Sequence, residues 1–213
     1  MNLVLIGATG FVGTQVLEEA LRRGHQVKAI VRHPEKLPQH DALTPAAVDV
    51  FDAAALAEAL KGADAVVSAF NPGWGTPDIQ ERFIAGSQAI TAAVKAAGLK
   101  RLLVVGGAGS LYVAPGVQLV DTPEFPAEWK EGALGAREAL RQIQAEDGLD
   151  WTFLSPAILL EPGERTGAYR LGGDEPLSTG EGPGRISAAD LAVAILDEIE
   201  RPSHLRKRFT VAY

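Results

Sequence analysis

Gly7-Ala8-Thr9-Gly10-Phe11-Val12-Gly13 follows the apolar run Leu3-Val4-Leu5-Ile6 without a break and opens a helical period. The G-x-x-G-x-x-G spacing is a variant of the dinucleotide fingerprint. It carries weight because it lies where that fingerprint must lie, between the end of a strand and the start of a helix. Each glycine has its own reason. Gly7 permits a tight turn off the strand, Gly10 leaves room for a pyrophosphate to reach the backbone, and Gly13 lets the helix pack close to the sheet. The first turn of that helix then presents free N–H groups and a positive dipole end to the phosphates. The bland alternative, a glycine turn with no ligand, is opposed by position, spacing and surrounding pattern together.

Around this loop, short apolar runs alternate with longer helical ones. Residues 3–6 read as a buried parallel strand. Across 11–23, Val12, Val16 and Ala20 share a helical face with Leu17 and Leu21, and Gly24 stops the helix. Residues 26–31, 46–50, 63–70, 101–105, 151–154 and 209–212 read as further strands. Helices are predicted over 56–60, over 127–147, and from a Thr76 cap with Pro77 in first position to Gly98. A last one opens on Ser187-Ala188-Ala189-Asp190, a capping box with Asp in place of Glu, and ends near Glu200. This alternation predicts an α/β fold: a doubly wound, Rossmann-type parallel sheet in three α/β/α layers. One domain is expected over 1–213. The Gly- and Pro-rich stretch 157–185 is expected to form a small C-terminal cap and substrate region over the sheet's carboxyl edge, where open α/β sheets bind ligands.

The chain has 213 residues, enough to bury a core unaided, and 46% hydrophobic against 22% charged residues excludes wholesale disorder. With 20 Lys+Arg and 27 Asp+Glu the net charge is −7, which argues against nucleic acid or a membrane surface as the main partner. The charge is uneven. Residues 1–36 are net +2, 37–200 net −13, and 201–213 net +4 from Arg201, Arg206, Lys207 and Arg208. The first excess coincides with the glycine loop; the basic tail is either solvated or a contact for self-association or a partner. Absence of cysteine removes disulfides, thiolate nucleophiles and zinc fingers. His25, His33, His40 and His204 are scattered without ligand spacing, so no metal site is expected. The start of the chain lacks a basic segment ahead of its short apolar run, and no stretch approaches the roughly 18 apolar residues of a membrane helix. A cytoplasmic monomer or homodimer acting on a small molecule is the expectation.

Two further features bear on the ligand. A NAD site usually places Asp or Glu about 20 residues beyond the loop to bind the ribose 2′-hydroxyl. Arg32 stands there instead, with His33 and Lys36 nearby. Its planar guanidinium suits a 2′-phosphate, which favours NADP over NAD, unless this is only a solvated basic loop. Asp49-Val50 falls where an adenine would sit: Asp49 can accept from the exocyclic amine and Val50 can cover the ring. The alternative is a cap for the next helix, a task that Asp52 serves equally well.

With Gly106-Gly107-Ala108-Gly109-Ser110, Leu154-Ser155-Pro156-Ala157 and Ser187–Asp190 added, the chain resembles the short-chain dehydrogenase/reductase superfamily over nearly its whole length. More narrowly it resembles the atypical NmrA-like branch, which includes NAD(P)H–flavin reductases and biliverdin-IXβ-reductase-like proteins. The resemblance implies that Gly7, Thr9, Gly10, Phe11, Val12 and Gly13 cradle the pyrophosphate. It implies that Arg32 takes the 2′-phosphate and Asp49-Val50 the adenine. Ala69, Phe70, Gly106, Gly107, Ser155, Pro156 and Ala157 would line the ribose and nicotinamide. Ser110 corresponds to the family's catalytic serine, or simply closes a glycine-rich turn.

One departure matters more than these matches. The Tyr-x-x-x-Lys pair of the typical family is missing. None of Tyr112, Tyr169 and Tyr213 has Lys four residues on, and the corresponding helix carries Trp129 and Ala133. Reducing an isolated ketone needs that proton donor. A flavin, quinone or tetrapyrrole spreads the incoming charge and takes its proton from solvent, so orientation suffices. The expected function is therefore an NADPH-dependent reductase of a flat conjugated acceptor, with FMN or FAD as a substrate. Phe70, Trp74 and Trp129 are candidate stacking surfaces, or core and cap residues. The alternatives are a non-enzymatic NAD(P)-binding redox sensor of NmrA type and an epimerase or dehydratase.

Overall fold

Runs of aliphatic residues become strands, periods of 3.6 become helices, and right-handed crossovers set their order. The computed structural model describes residues 1–180 and 182–213. The chain runs β1 (Asn2–Ile6), α1 (Phe11–Arg22), β2 (Gln26–Val31), β3 (Leu43–Ala47), α2 (Ala53–Leu60), β4 (Ala65–Ser68), α3 (Ile79–Ala96) and β5 (Arg101–Val105). It continues through β6 (Tyr112–Ala114), β7 (Val117–Gln118), α4 (Ala127–Gln144), β8 (Asp150–Pro156), β9 (Leu159–Glu161) and β10 (Arg170–Gly172). Last come β11 (Ser178–Thr179), β12 (Gly182–Pro183), β13 (Arg185–Ser187), α5 (Ala188–Glu200) and β14 (Lys207–Ala212). Among the described residues eight strands form one sheet, in the order β3-β2-β1-β4-β5-β8-β14-β10. Every pairing is parallel except that of β10 with β14. The chain builds from β1 out to β3 and then returns to β1's other side with β4. The order therefore reverses between β1 and β4, and that switch point is where such sheets bind ligands.

Both faces of the sheet are covered, which is why the strands read as continuous apolar runs. Leu3, Leu5, Val67, Leu103 and Leu154 pack on Val16 and Leu17 of α1 and on Leu191 and Ile195 of α5. Val4, Ile6, Val66, Leu102 and Phe153 face Leu56, Leu60, Ile90, Val94, Leu140 and Ile143 of α2, α3 and α4. The predicted doubly wound sheet is thus the observed one. No helix of the described residues is long and apolar enough to cross a membrane.

Three local expectations are corrected. The third strand is Leu43–Ala47, not 46–50; β3 is an edge strand, and there Pro45 needs no partner for its missing N–H. Helix α3 does not open on a Thr76 cap. Thr76 donates to the Pro72 carbonyl (3.3 Å), and the capping position is Asp78 at φ +56°, with no side-chain cap bond. The capping box is half made. Ser187 Oγ accepts from the Asp190 N–H (3.0 Å), but the Asp190 carboxylate turns away from the Ser187 N–H, which donates to Tyr213 Oη.

The stretch 157–185 caps the carboxyl edge only at its two ends, where β9 and β13 pair in parallel. Residues 165–169 run along α1 and α5, and the chain then joins the main sheet as β10. Buried and half-buried carboxylates dictate that path. Arg165 forks onto Glu19 of α1 (2.7 and 2.9 Å), Thr166 Oγ1 and the Gly167 N–H donate to Asp190 (2.6 and 2.7 Å), and Tyr169 donates to Asp197 (2.5 Å). The Arg165 hydrogen bonds, outweighing burial and joined by Arg23, hold the Glu19 carboxyl below its ordinary range. Burial pushes the Asp190 and Asp197 carboxyls up. Hydrogen bonds from Thr166, Tyr213 and Gly167, and from Tyr169 and Arg23, more than reverse that.

Candidate functional site at the switch point

The carboxyl end of β1 turns at Gly7, whose φ of +83° is closed to side chains without strain. A Cβ there would also lie 2.6 Å from the Ala69 carbonyl oxygen just beyond β4. The loop closes through the Gly10 N–H onto the Gly7 carbonyl (3.0 Å). A Cβ on Gly13 would overlap that same carbonyl, so the third glycine serves the loop's own backbone and only through it the approach of α1 to the sheet. Gly10 differs from both. Its Cβ would meet one atom, the Gly7 oxygen at 3.4 Å, and otherwise open space.

Helix α1 begins at Phe11 with Gly10 as its cap residue, no side-chain cap bond and no acid in its first turn. The Phe11, Val12 and Gly13 N–H groups have no protein acceptor among the described residues. The positive end of the helix is therefore uncompensated and faces the room left by Gly10. Thr9 and Phe11 are exposed beside it, and Val12 is half-buried. This cradle fits a pyrophosphate.

Arg32, just past β2, is exposed and has no hydrogen-bond or ion-pair partner among the described residues. The neighbouring His33 faces Glu35 (3.2 Å), and the exposed Lys36 adds a second cation beside the guanidinium. Asp49 is exposed, and one of its oxygens is held by the Phe51 N–H (3.0 Å). Val50 is only 8% exposed and packs on Leu56 and Leu60, so it does not cover a ring in the open site. Phe51 does offer such a surface. It is 43% exposed, edge-on to Phe70 (6.4 Å), with the Arg82 guanidinium 5.5 Å from its ring centre. Sequence reading missed Phe51 and Arg82. The only signal available was an aromatic directly after Asp49-Val50.

At the other end of the cleft, Ala69, Phe70, Gly106 and Gly107 are half-buried and reachable. Ser155, Pro156 and Ala157 are buried and support the floor from below. The Ser155 hydroxyl and that of its cross-strand neighbour Thr210 are fully enclosed, without partners among the described residues. Ser110 is 2% exposed. Its carbonyl accepts from Arg208 (2.7 Å) and Gln118 (2.9 Å), and its Oγ lies 3.3 Å from the same guanidinium. That geometry gives Ser110 a part in fixing the turn after β5 and no open face toward a substrate.

The helix that would carry a Tyr–Lys pair is α4. Its inner face is built of small residues. A Cβ on Gly109 would lie 2.9 Å from that of Ala133, one on Gly132 would lie 2.6 Å from the Trp74 ring, and one on Gly135 would lie 2.9 Å from Phe83 Cβ. Helix α4 carries no Tyr. Trp74 touches the inner face at Gly132. Trp74, Phe11 at the start of α1, Trp129 at the start of α4 and Tyr112 in β6 are all at least 40% exposed.

Residues 7–202 match the family model described as NAD(P)H-binding. The chain is 44% identical over 214 residues to the uncharacterized protein YwnB of Bacillus subtilis (strain 168), covering 99% of this chain and 98% of that one. Among solved structures, a Bacteroides thetaiotaomicron protein provisionally called an epimerase superposes with TM-score 0.94 at 45% identity, over 100% of this chain and 96% of that one. A Streptococcus pneumoniae TIGR4 protein provisionally called an NADH-flavin reductase superposes with TM-score 0.87 at 36% identity, over 100% of this chain and 99% of that one.

Proposed function

Because the chain belongs to the NAD(P)H-binding family, we propose that it is an NADPH-dependent oxidoreductase that reduces a flat conjugated acceptor, with a flavin, FMN or FAD, as the best fit. The carrying observation is the exposure of Phe11, Trp74, Tyr112 and Trp129 together with an α4 that carries no Tyr–Lys pair. The bound dinucleotide would supply a hydride. The glycine loop and the α1 N–H groups would hold its pyrophosphate, Arg32 a 2′-phosphate, and Phe51 with Asp49 the adenine. Phe11, Trp74, Tyr112 and Trp129 would stack and orient the acceptor and exclude water from one face. The flavin-reductase name given to the S. pneumoniae protein supports this choice of acceptor.

Epimerisation fits less well. It needs an acid–base group at the reacting carbon, and Ser110 is buried in a structural bond to Arg208.

The test is oxidation of NADPH by the purified protein with FMN, FAD and a quinone. Turnover well above the protein-free blank is expected. Tight dinucleotide binding with no turnover on any of them would assign the chain a sensing role instead. Arg32→Ala should weaken NADPH at least tenfold, the loss of one charge-assisted phosphate contact, and leave NADH within about twofold. Equal losses would remove the 2′-phosphate from the assignment.

A further inference from the structure

The basic tail is not scattered over the surface. Arg206, Lys207 and Arg208 line a cleft of about 750 Å³ against the turn Gly172-Gly173-Asp174, with Trp151 in its wall. Lys207 opens β14 and Trp151 lies at the start of β8, so the cleft sits at the amino edge of the sheet, across the strands from the glycine loop. Of its three cations Arg208 is neutralised by Asp174, the lining carboxylate, which leaves Arg206 and Lys207 facing the cleft in a chain whose net charge is −7. Lys207 is exposed and has no acidic partner among the described residues. Arg206 reaches Asp150 only at 3.6 Å, both side chains about half exposed. A Cβ on Gly173 would meet nothing within 4 Å, so the turn opposite the cations is open to a ligand.

Arg206 also holds a backbone conformation that side chains avoid. Its φ is +56°, shared among the described non-glycine residues only with Asp78, and its N–H is tied to the Trp151 carbonyl (2.6 Å). A glycine would sit there without strain. Keeping an arginine in this place makes sense if its charge is used. Behind it, Arg208 is buried and binds both Asp174 (2.7 Å) and the neighbouring Ser110 carbonyl (2.7 Å).

We propose that this cleft is a second binding site, for the phosphate group of a small phosphorylated molecule. The phosphate sits between Arg206, Lys207 and the Gly172-Gly173 backbone, and Trp151 and the exposed Leu171 border the organic part. This site is independent of the dinucleotide reading, and its test involves no turnover. Amide shifts of the full chain are followed by NMR while inorganic phosphate, pyrophosphate or AMP is added at constant ionic strength. Saturable shifts at Gly172, Gly173 and Lys207 are expected, tighter for AMP than for phosphate if the organic part is held. Lys207→Gln should weaken them about tenfold at unchanged Tm. Arg206→Gly should weaken them similarly while Tm holds or rises, which separates lost charge from lost fold. Shifts confined to residues 7–13, shifts reproduced by equal chloride, or affinities untouched by either substitution would overturn the proposal.

Discussion

The three glycines of the loop divide two tasks that a motif cannot tell apart. Gly7 and Gly13 are required by the protein's own backbone: one by its φ of +83°, the other by the Gly7 carbonyl it would overlap. Gly10 is crowded by nothing but a distant 3.4 Å contact, so its missing side chain serves whatever approaches from solvent. The two kinds of glycine should therefore fail differently. Gly13→Ala must displace backbone and should cost about 1–3 kcal/mol of stability, the range for overpacking against atoms that cannot yield. Gly10→Ala should cost no more than about 1 kcal/mol, the loss of a glycine at a helix cap, yet weaken NADPH by an order of magnitude or more. Chemical denaturation and dinucleotide titration on both variants check this. A Gly10→Ala protein that binds NADPH normally would mean the phosphates do not lie over residue 10.

Among the elements, α4 carries the most information about chemistry and was the least readable in that respect. The sequence predicts this helix over 127–147 and the structure ends it at Gln144, with Ala136, Ala139, Leu140 and Ile143 buried as a helical period requires. The missing Tyr–Lys pair was legible too, because it is a matter of residue type. What the spacing did not show is why Gly132 and Gly135 stand there. They admit Trp74, Phe83 and the backbone of Gln80, contacts set by α3 and the loop before it. Gly135→Ala tests this account. A helix-interior Gly→Ala change alone would stabilise by about 1 kcal/mol. The Gln80 carbonyl at 3.1 Å from the new Cβ and Phe83 Cβ at 2.9 Å should reverse the sign, to a net loss of about 1–2 kcal/mol by thermal melts. Similar limits explain the other elements. Continuous apolar strands announce a parallel sheet, whereas β3 with Thr44-Pro45 and α3 with its left-handed Asp78 depend on neighbours that local pattern does not encode. The site divides the same way. The glycine loop and Arg32 were readable from type and place, while Val50 and Ser110 are buried by packing and Phe51 emerged only in the fold.

For the molecule as a whole, the carboxylates that lace 164–169 to α1 and α5 decide how it meets acid. Glu19, Asp190 and Asp197 are held below their ordinary ranges by the hydrogen bonds and guanidinium charges they receive. A carboxyl whose folded pKa lies below its unfolded one contributes stability that is fully present above the unfolded value. That contribution is lost as pH falls through the folded value. Stability on this account is level from neutrality to about pH 5 and declines below about pH 4, where the unfolded chain takes up protons first. Glu19 is the best probe, being buried and shared by Arg23 and Arg165. Glu19→Gln keeps the shape and removes the charge. It should cost about 1–3 kcal/mol at pH 7, the range for hydrogen bonds to charged groups, and it should flatten the acid limb because one titrating group is gone. The two curves should converge toward low pH, where the wild-type carboxyl is itself protonated. A Glu19→Gln loss that is the same at pH 3 and pH 7 would trace it to packing rather than charge. The tie of Arg165 to α1 would then rest on shape, and the acid response of the segment on Asp190 and Asp197.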